Sequence, residues 1–358
     1  MPVVKSQGSL RHVVRSWRAL SWISIKVSFR HLIGRPLDPE WTIPAEIGNL
    51  FWRGQFNHAF ALADINEGRD YFDSLLTETD EVYAVDRLPT EVDEPRGHWV
   101  QPHKKLRETT LLYLHGGGYT FYPEVSKRMG DMMADKFGME VFVPDYRLTP
   151  ENSHPAQIED ALEAYTYLLA KGKEPNQIVL AGDSAGGHLV LMLLIVLRKK
   201  GLPQPALAVG FCPWTDVGDR GASLFAHNKY DNVQGYMALQ FGEWLKGEGG
   251  FTNEELSPIH QDYKGLAPLY LQAGGREILL DMIRDFAKVV HAQGADVTLD
   301  VWEPMTHIFQ ANGSTLPESK EALERVICTI EIYTGANSDD QALKACPRTE
   351  IGGDFLAP

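Results

Sequence analysis

From about residue 108 onward, short apolar runs alternate with stretches of helical periodicity, and this alternation constrains the fold more than any other feature. The runs are Thr109–Leu114, Glu140–Pro144, Gln177–Ala181, Ala206–Phe211, Leu269–Ala273 and Val297–Val301. Most are continuously apolar rather than alternating, the pattern of strands buried on both faces. Helical stretches lie near Val125–Phe137, Ile158–Ala170, Gly187–Lys200, Ile278–Ala292 and Glu318–Tyr333. The rhythm predicts an α/β domain, a mostly parallel central sheet with helices on both faces. Two further runs, Glu81–Val85 and Gly97–Val100, bracket a turn rich in Pro, Asp and Glu and read as an antiparallel edge hairpin.

Residues 1–75 carry no strand signal. Trp17, Leu20, Ile23, Val27 and His31 recur at three and four residues, with Arg18, Lys26 and Arg30 around the other side. That is an amphipathic helix, whose stripe is first of all a packing face. A membrane-surface helix or an Arg-rich transit peptide would show the same pattern. Residues 1–37 hold seven Lys or Arg and no Asp or Glu. The chain as a whole has a formal net charge of −14, so removing those seven positive charges leaves −21 on the remainder. Such acidity argues against a nucleic-acid partner, which wants a clustered basic face. No run of about 18 uncharged apolar residues is seen, so no spanning helix is expected. No apolar segment with a small-residue cleavage site is visible either. Cys212, Cys328 and Cys346 are odd in number and lack metal-ligand spacing. They are read as no disulfide framework, with Cys212 a buried small hydrophobe and a reducing, cytoplasmic location expected. The last stretch, 335–358, is polar and aperiodic and reads as a loose tail.

Three motifs carry chemistry. Gly182-Asp183-Ser184-Ala185-Gly186 follows a strand and opens a helix, the setting of a nucleophile elbow. The helix N-terminus beneath such a serine favours developing negative charge. His115-Gly116-Gly117-Gly118-Tyr119 closes another strand. Consecutive glycines there free backbone N–H groups to converge on an oxyanion, and the GK[ST] of a phosphate cradle is missing. Met305-Thr306-His307-Ile308-Phe309 comes late and after a strand, where the order serine, acid, histidine places a general base. Taken singly, a histidine beside Ile and Phe is a core residue; behind the two upstream motifs it reads as catalytic.

These motifs, with Asp145-Tyr146-Arg147-Leu148-Thr149-Pro150-Glu151 and His154-Pro155-Ala156, resemble the hormone-sensitive-lipase family of α/β hydrolases over roughly residues 80–333. The resemblance implies an α/β-hydrolase fold with an N-terminal helical cap (1–75), a catalytic domain (76–334) and the tail (335–358). It implies Ser184 as nucleophile, His307 as base, and the N–H groups of Gly117, Gly118 and Ala185 as oxyanion donors, with Gly116 shaping the turn. The family's acid motif, Asp-Pro-Leu and then Asp two residues on, aligns with Glu277-Ile278-Leu279 and Asp281, which makes Glu277 the triad acid, with Asp281, one turn further on, as the alternative. The implied activity is hydrolysis of short to medium carboxylic esters or lactones, without metal or organic cofactor. Amide hydrolysis, acyl transfer or cyclisation share the same acyl-enzyme logic, and a non-catalytic receptor on this fold would be expected to have lost its histidine. Tyr119, Trp214, Trp41 and Phe51, with Trp52 and Phe56, are candidate pocket aromatics, or equally core. Arg147 reads as an internal brace pairing with Asp145 and Glu151. Peripheral membrane contact through the N-terminal helix and a homodimer stay open.

Overall fold

The apolar runs assemble into one eight-stranded sheet in the computed structural model, which describes residues 9–74 and 82–335. Its strands are β1 (Val85–Pro89), β2 (Gly97–Pro102), β3 (Thr110–Leu114) and β4 (Glu140–Pro144). They continue with β5 (Ile178–Asp183), β6 (Leu207–Phe211), β7 (Leu269–Gly274) and β8 (Val297–Trp302). The spatial order is β1-β2-β4-β3-β5-β6-β7-β8, antiparallel at β1/β2 and β2/β4 and parallel elsewhere. The inner strands β3, β5 and β6 are buried along their whole length, which is why their sequences read as unbroken apolar runs.

Three helices precede the sheet: α1 (Leu10–Leu32), α2 (Ile43–Phe60) and α3 (Ile65–Asp73). Within the α/β body come α4 (Glu124–Phe137), α5 (Ala156–Ala170), α6 (Ala185–Lys200), α7 (Ser223–Ala226) and α8 (Gly235–Lys246). The last are α9 (Asn253–Leu256), α10 (Leu280–Ala292) and α11 (Pro317–Thr334). Side-chain alternation along β3 sends Leu111 and Tyr113 to one face, against Met133 and Phe137 of α4 and Val326 and Ile330 of α11. Leu112 and Leu114 point the other way, into a core shared with Leu168, Leu193 and Ile283 of α5, α6 and α10.

The edge hairpin exists, but its first strand is Val85–Pro89 rather than Glu81–Val85, with Val85 opposite Pro102 and Pro89 opposite His98. Beyond Val85 this strand is exposed, so it lacks the apolar run by which strands were recognised. Glu81 and the tail 336–358 lie outside the described residues.

The helix foreseen near the N-terminus is α1, and its stripe packs on α2 through buried Val27 and half-buried Leu20 and Ile23. His31 Nε2 meets Glu46 Oε2 at 2.9 Å. Trp17 departs from the expectation: it is 48% exposed, on the outward side. The N-terminal helices are joined to loops at the carboxyl ends of the strands. Arg69 of α3 forks onto Glu151 at 2.8 and 2.9 Å and donates to the carbonyls of Thr120 and Thr149. Trp41 Nε1 donates to Pro304 O, and Arg276 pairs with Asp38 at 2.7 Å. This is the edge of an open α/β sheet at which ligand sites form.

Among the described residues no helix is long and apolar enough to cross a membrane. Cys212 is free, whereas Cys328 is disulfide-bonded. The reading of the three cysteines as unpaired is therefore corrected, and the argument for a reducing compartment goes with it.

Candidate active site

Strand β5 ends and helix α6 begins within two residues, and Ser184 sits on the bend with φ 53° and ψ −118°. A non-glycine residue held there stores backbone strain, which is found where a side chain must be presented at a functional site. The bend is tight because α6 passes close to β3: a Cβ on Gly186 would lie 1.9 Å from the carbonyl oxygen of Leu114. The elbow is tied on both sides, with Ser184 N donating to Phe211 O at 2.9 Å and Trp214 N donating to Ser184 O at 3.0 Å. Ser184 itself is partly accessible.

Asp183, beside the serine, anchors the glycine loop. Its Oδ1 accepts from Gly116 N at 2.8 Å and from the Tyr113 hydroxyl. Gly117 follows with φ 103°, and a Cβ there would lie 1.9 Å from Phe121 O, so only glycine fits. Among the described residues the N–H groups of Gly117, Gly118 and Ala185 have no hydrogen-bond acceptor. His115 is sandwiched between Tyr122 and Tyr146, with centroids 3.6 and 4.1 Å away, and shapes the loop from below.

The other two candidates come from the β7 and β8 ends. Glu277 and His307 are both buried, with Glu277 Oε2 3.6 Å from His307 Nδ1. That is an ion-pair separation, longer than a hydrogen bond. Gly274 N donates to Glu277 Oε2 at 3.3 Å. Burial alone would lower the His307 pKa; the facing Glu277, with Asp231 and Asp183 beyond it, outweighs burial and raises it above its ordinary value. Asp281 is engaged elsewhere: its Oδ2 accepts from Ser223 N at 2.8 Å.

Nothing in the sequence marks Asp231. It is fully buried between the two loops, Oδ2 accepting from Ile278 N at 2.7 Å and Oδ1 from His307 N at 3.0 Å. Asn232 Nδ2 donates to His307 O at 3.1 Å, and His227 Nδ1 lies 3.0 Å from Glu277 O. The segment 227–232 thus clamps both loops. It is held in turn by α2, from which Arg53 donates to Lys229 O at 2.7 Å and Asn49 to Tyr230 O. Burial raises the Asp231 pKa to about 6. No motif marks this residue, because its partners are backbone groups 47 and 76 residues away.

Cys212 is buried as foreseen, but against the candidate triad rather than in plain core. Its Sγ, a Glu277 oxygen and a His307 ring nitrogen lie within 4.8 Å of one another, the metal-capable grouping found among the described residues. Burial, with the neighbouring Glu277, raises the Cys212 thiol pKa above its ordinary value.

Tyr119 and Trp214 are buried side chains of the main core. The Tyr119 hydroxyl lies 2.6 Å from His188 Nδ1, one turn of α6 beyond Ser184. Trp41 is bound to Pro304, three residues before His307, and Phe51 is half-buried against Trp52. Trp52 and Phe56 pack against the main core. Arg147 is a brace, but through Asp160 at 2.7 Å and Glu159 at 3.0 Å of α5 rather than Asp145 and Glu151. The cavity of about 430 Å³ lined by Asp216, Arg220, His260 and Asp285 includes none of Ser184, Glu277 and His307.

The sheet order and the strand–elbow–helix unit define an α/β hydrolase. A family model described as alpha/beta hydrolase fold matches residues 111–311. An acetyl-hydrolase of Streptomyces hygroscopicus is 35% identical over 240 residues, 66% of this chain and 80% of its own. An ethyl acetate hydrolase of Pseudomonas putida is 29% identical over 63% of this chain and 74% of its own. A crystal structure of an esterase from the bacterial hormone-sensitive lipase family superposes with a TM-score of 0.71 at 32% identity, covering 79% of this chain and 97% of that one. The chain belongs to the α/β hydrolases, among the esterases of the bacterial hormone-sensitive-lipase type.

Proposed function

We propose that the chain hydrolyses short to medium carboxylic esters or lactones through an acyl-enzyme on Ser184. The observation that carries this reading is the buried Glu277–His307 pair, built on the same sheet edge as the strained serine. His307 takes the Ser184 proton as the hydroxyl attacks the acyl carbon. The oxyanion then rests against the N–H groups of Gly117, Gly118 and Ala185. The alcohol leaves with the proton from His307, and a water repeats the sequence on the acyl-enzyme. Glu277, facing Nδ1, orients the imidazole and stabilises its charged form. The cap, 1–75, covers the site in this reading, and the catalytic domain is 76–334.

Two observations support a small acyl group. The relatives are named for acetyl groups and ethyl acetate. The Phe241 ring packs on Gly118, where an added Cβ would lie 2.4 Å from it, and Phe60 of α2 stacks edge-on to it at 5.3 Å. A series of p-nitrophenyl esters from acetate to palmitate, run beside lactones and anilides, tests this. Acetate or butyrate is expected to exceed palmitate in kcat/KM by about tenfold or more. Faster palmitate turnover would overturn the size limit, and a fluorophosphonate that leaves Ser184 unlabelled would overturn the serine mechanism.

Asp231 is a positioning residue in this scheme. Asp231→Asn is expected to lower kcat by about 10- to 100-fold, since a small misplacement of reacting groups is costly. It also removes a carboxylate that helps hold the His307 pKa up. The base works unprotonated, so activity rises with pH through that pKa, and the acidic limb of kcat/KM moves to lower pH in the variant. An unshifted profile would remove Asp231 from this role.

A further inference from the structure

Helix α1 has two apolar sides. Its inner side is accounted for: Val27 is buried, Glu46 holds Arg30 and His31, and His12 packs edge-on against Tyr71 of α3 at 5.0 Å. On the outward side Trp17, Trp22, Ile25, Phe29 and Leu32 recur at three to five residues, with Trp22 68% and Leu32 83% exposed. Elsewhere among the described residues, exposed large hydrophobics fall on different elements rather than in a row along one helix. Interleaved with the outward row are Arg11, Arg15, Arg18 and Lys26, all exposed and none with a carboxylate partner among the described residues.

We propose that this outward face of α1 docks on an anionic lipid surface. Tryptophan and phenylalanine at the level of the headgroups, with long cationic side chains reaching the phosphates above them, are what an interfacial helix needs. The charge on the helix complements lipid rather than a second copy. Residues 1–37 hold seven cations and no carboxylate, so an α1–α1 contact would set cation against cation. The same four cations make the helix lie on a bilayer, and none of the described helices is apolar enough to cross one. The proposal does not depend on the ester chemistry.

Sedimentation of the full chain with vesicles of phosphatidylcholine, alone or mixed with phosphatidylserine, tests it. Binding is expected only with phosphatidylserine and is expected to fall as salt rises. The combined variant Arg11→Gln, Arg15→Gln, Arg18→Gln and Lys26→Gln should weaken it by several hundredfold, at about fivefold per cation near an anionic surface. Trp22→Ser with Phe29→Ser should abolish it. Circular dichroism and the rate on a water-soluble acetate ester should stay those of the parent in both variants, which separates docking from folding and from the hydrolase reading. Absence of vesicle binding by the parent would overturn the proposal, as would equal, salt-insensitive binding to phosphatidylcholine alone. So would a parent dimer that Trp22→Ser with Phe29→Ser dissociates, since the face would then be a contact between copies.

Discussion

Ser184→Ala is expected to lower kcat on p-nitrophenyl acetate by about 10⁶, the order found when the nucleophile of a serine hydrolase is removed. What remains, about 10³-fold over water, would come from substrate binding and the backbone donors. The fold should survive. The Ser184 side chain makes no capping hydrogen bond to α6, and alanine tolerates φ 53° no worse than serine does. The thermal midpoint should therefore move little, so lost activity can be assigned to chemistry. A variant with near-parental kcat would show that another group attacks the ester.

The second large effect is expected at Glu277. Its carboxylate is fully buried, faces His307 Nδ1 at 3.6 Å and is the chief group raising the histidine pKa against burial. Glu277→Gln keeps the volume, removes the charge and can leave the imidazole in the wrong tautomer, so kcat should fall by about 10²–10⁴. The acidic limb of kcat/KM should also move to lower pH. Asp281→Asn is the contrast. Asp281 braces Ser223, so its loss should cost about 1 kcal/mol of stability and leave kcat near that of the parent. If instead Asp281→Asn lost activity while Glu277→Gln kept it, Asp281 would be the acid.

The choice between these two residues shows how far the sequence reaches. Ser184 and the glycine loop were legible because their requirements are local: a sharp strand-to-helix bend and a few glycines in consecutive positions. His307 was legible only by its order behind them, and Glu277 by alignment to a family pattern that usually has aspartate there and by its place in the loop between a strand and a helix. Asp231 was not legible. A carboxylate between two short helices has no local signature, and its significance comes from two backbone N–H groups that the sheet brings to it.

The N-terminal region divides in the same way. The amphipathic period of α1 could be read directly, since it follows from 3.6 residues per turn. Which side is covered could not, because the helix is apolar on two sides and only contact with α2 and α3 distinguishes them. Trp17 fell on the outer side for that reason. Similarly, β1 lies at an edge with its side chains in water, so the burial that marks the inner strands was never written into it.

The sequence by itself determined the α/β architecture, the strand–bend–helix at Ser184, the glycine loop and the helical character of the N-terminal region, because each is set by periodicity or by backbone geometry over a few adjacent residues. Only the tertiary structure decided the Glu277–His307 contact, the Asp231 clamp, the burial of Tyr119 and Trp214, and the exposed basic-aromatic side of α1. Those depend on register between strands far apart in the chain, and a group's neighbours across a sheet edge follow from packing rather than from its own flanking residues.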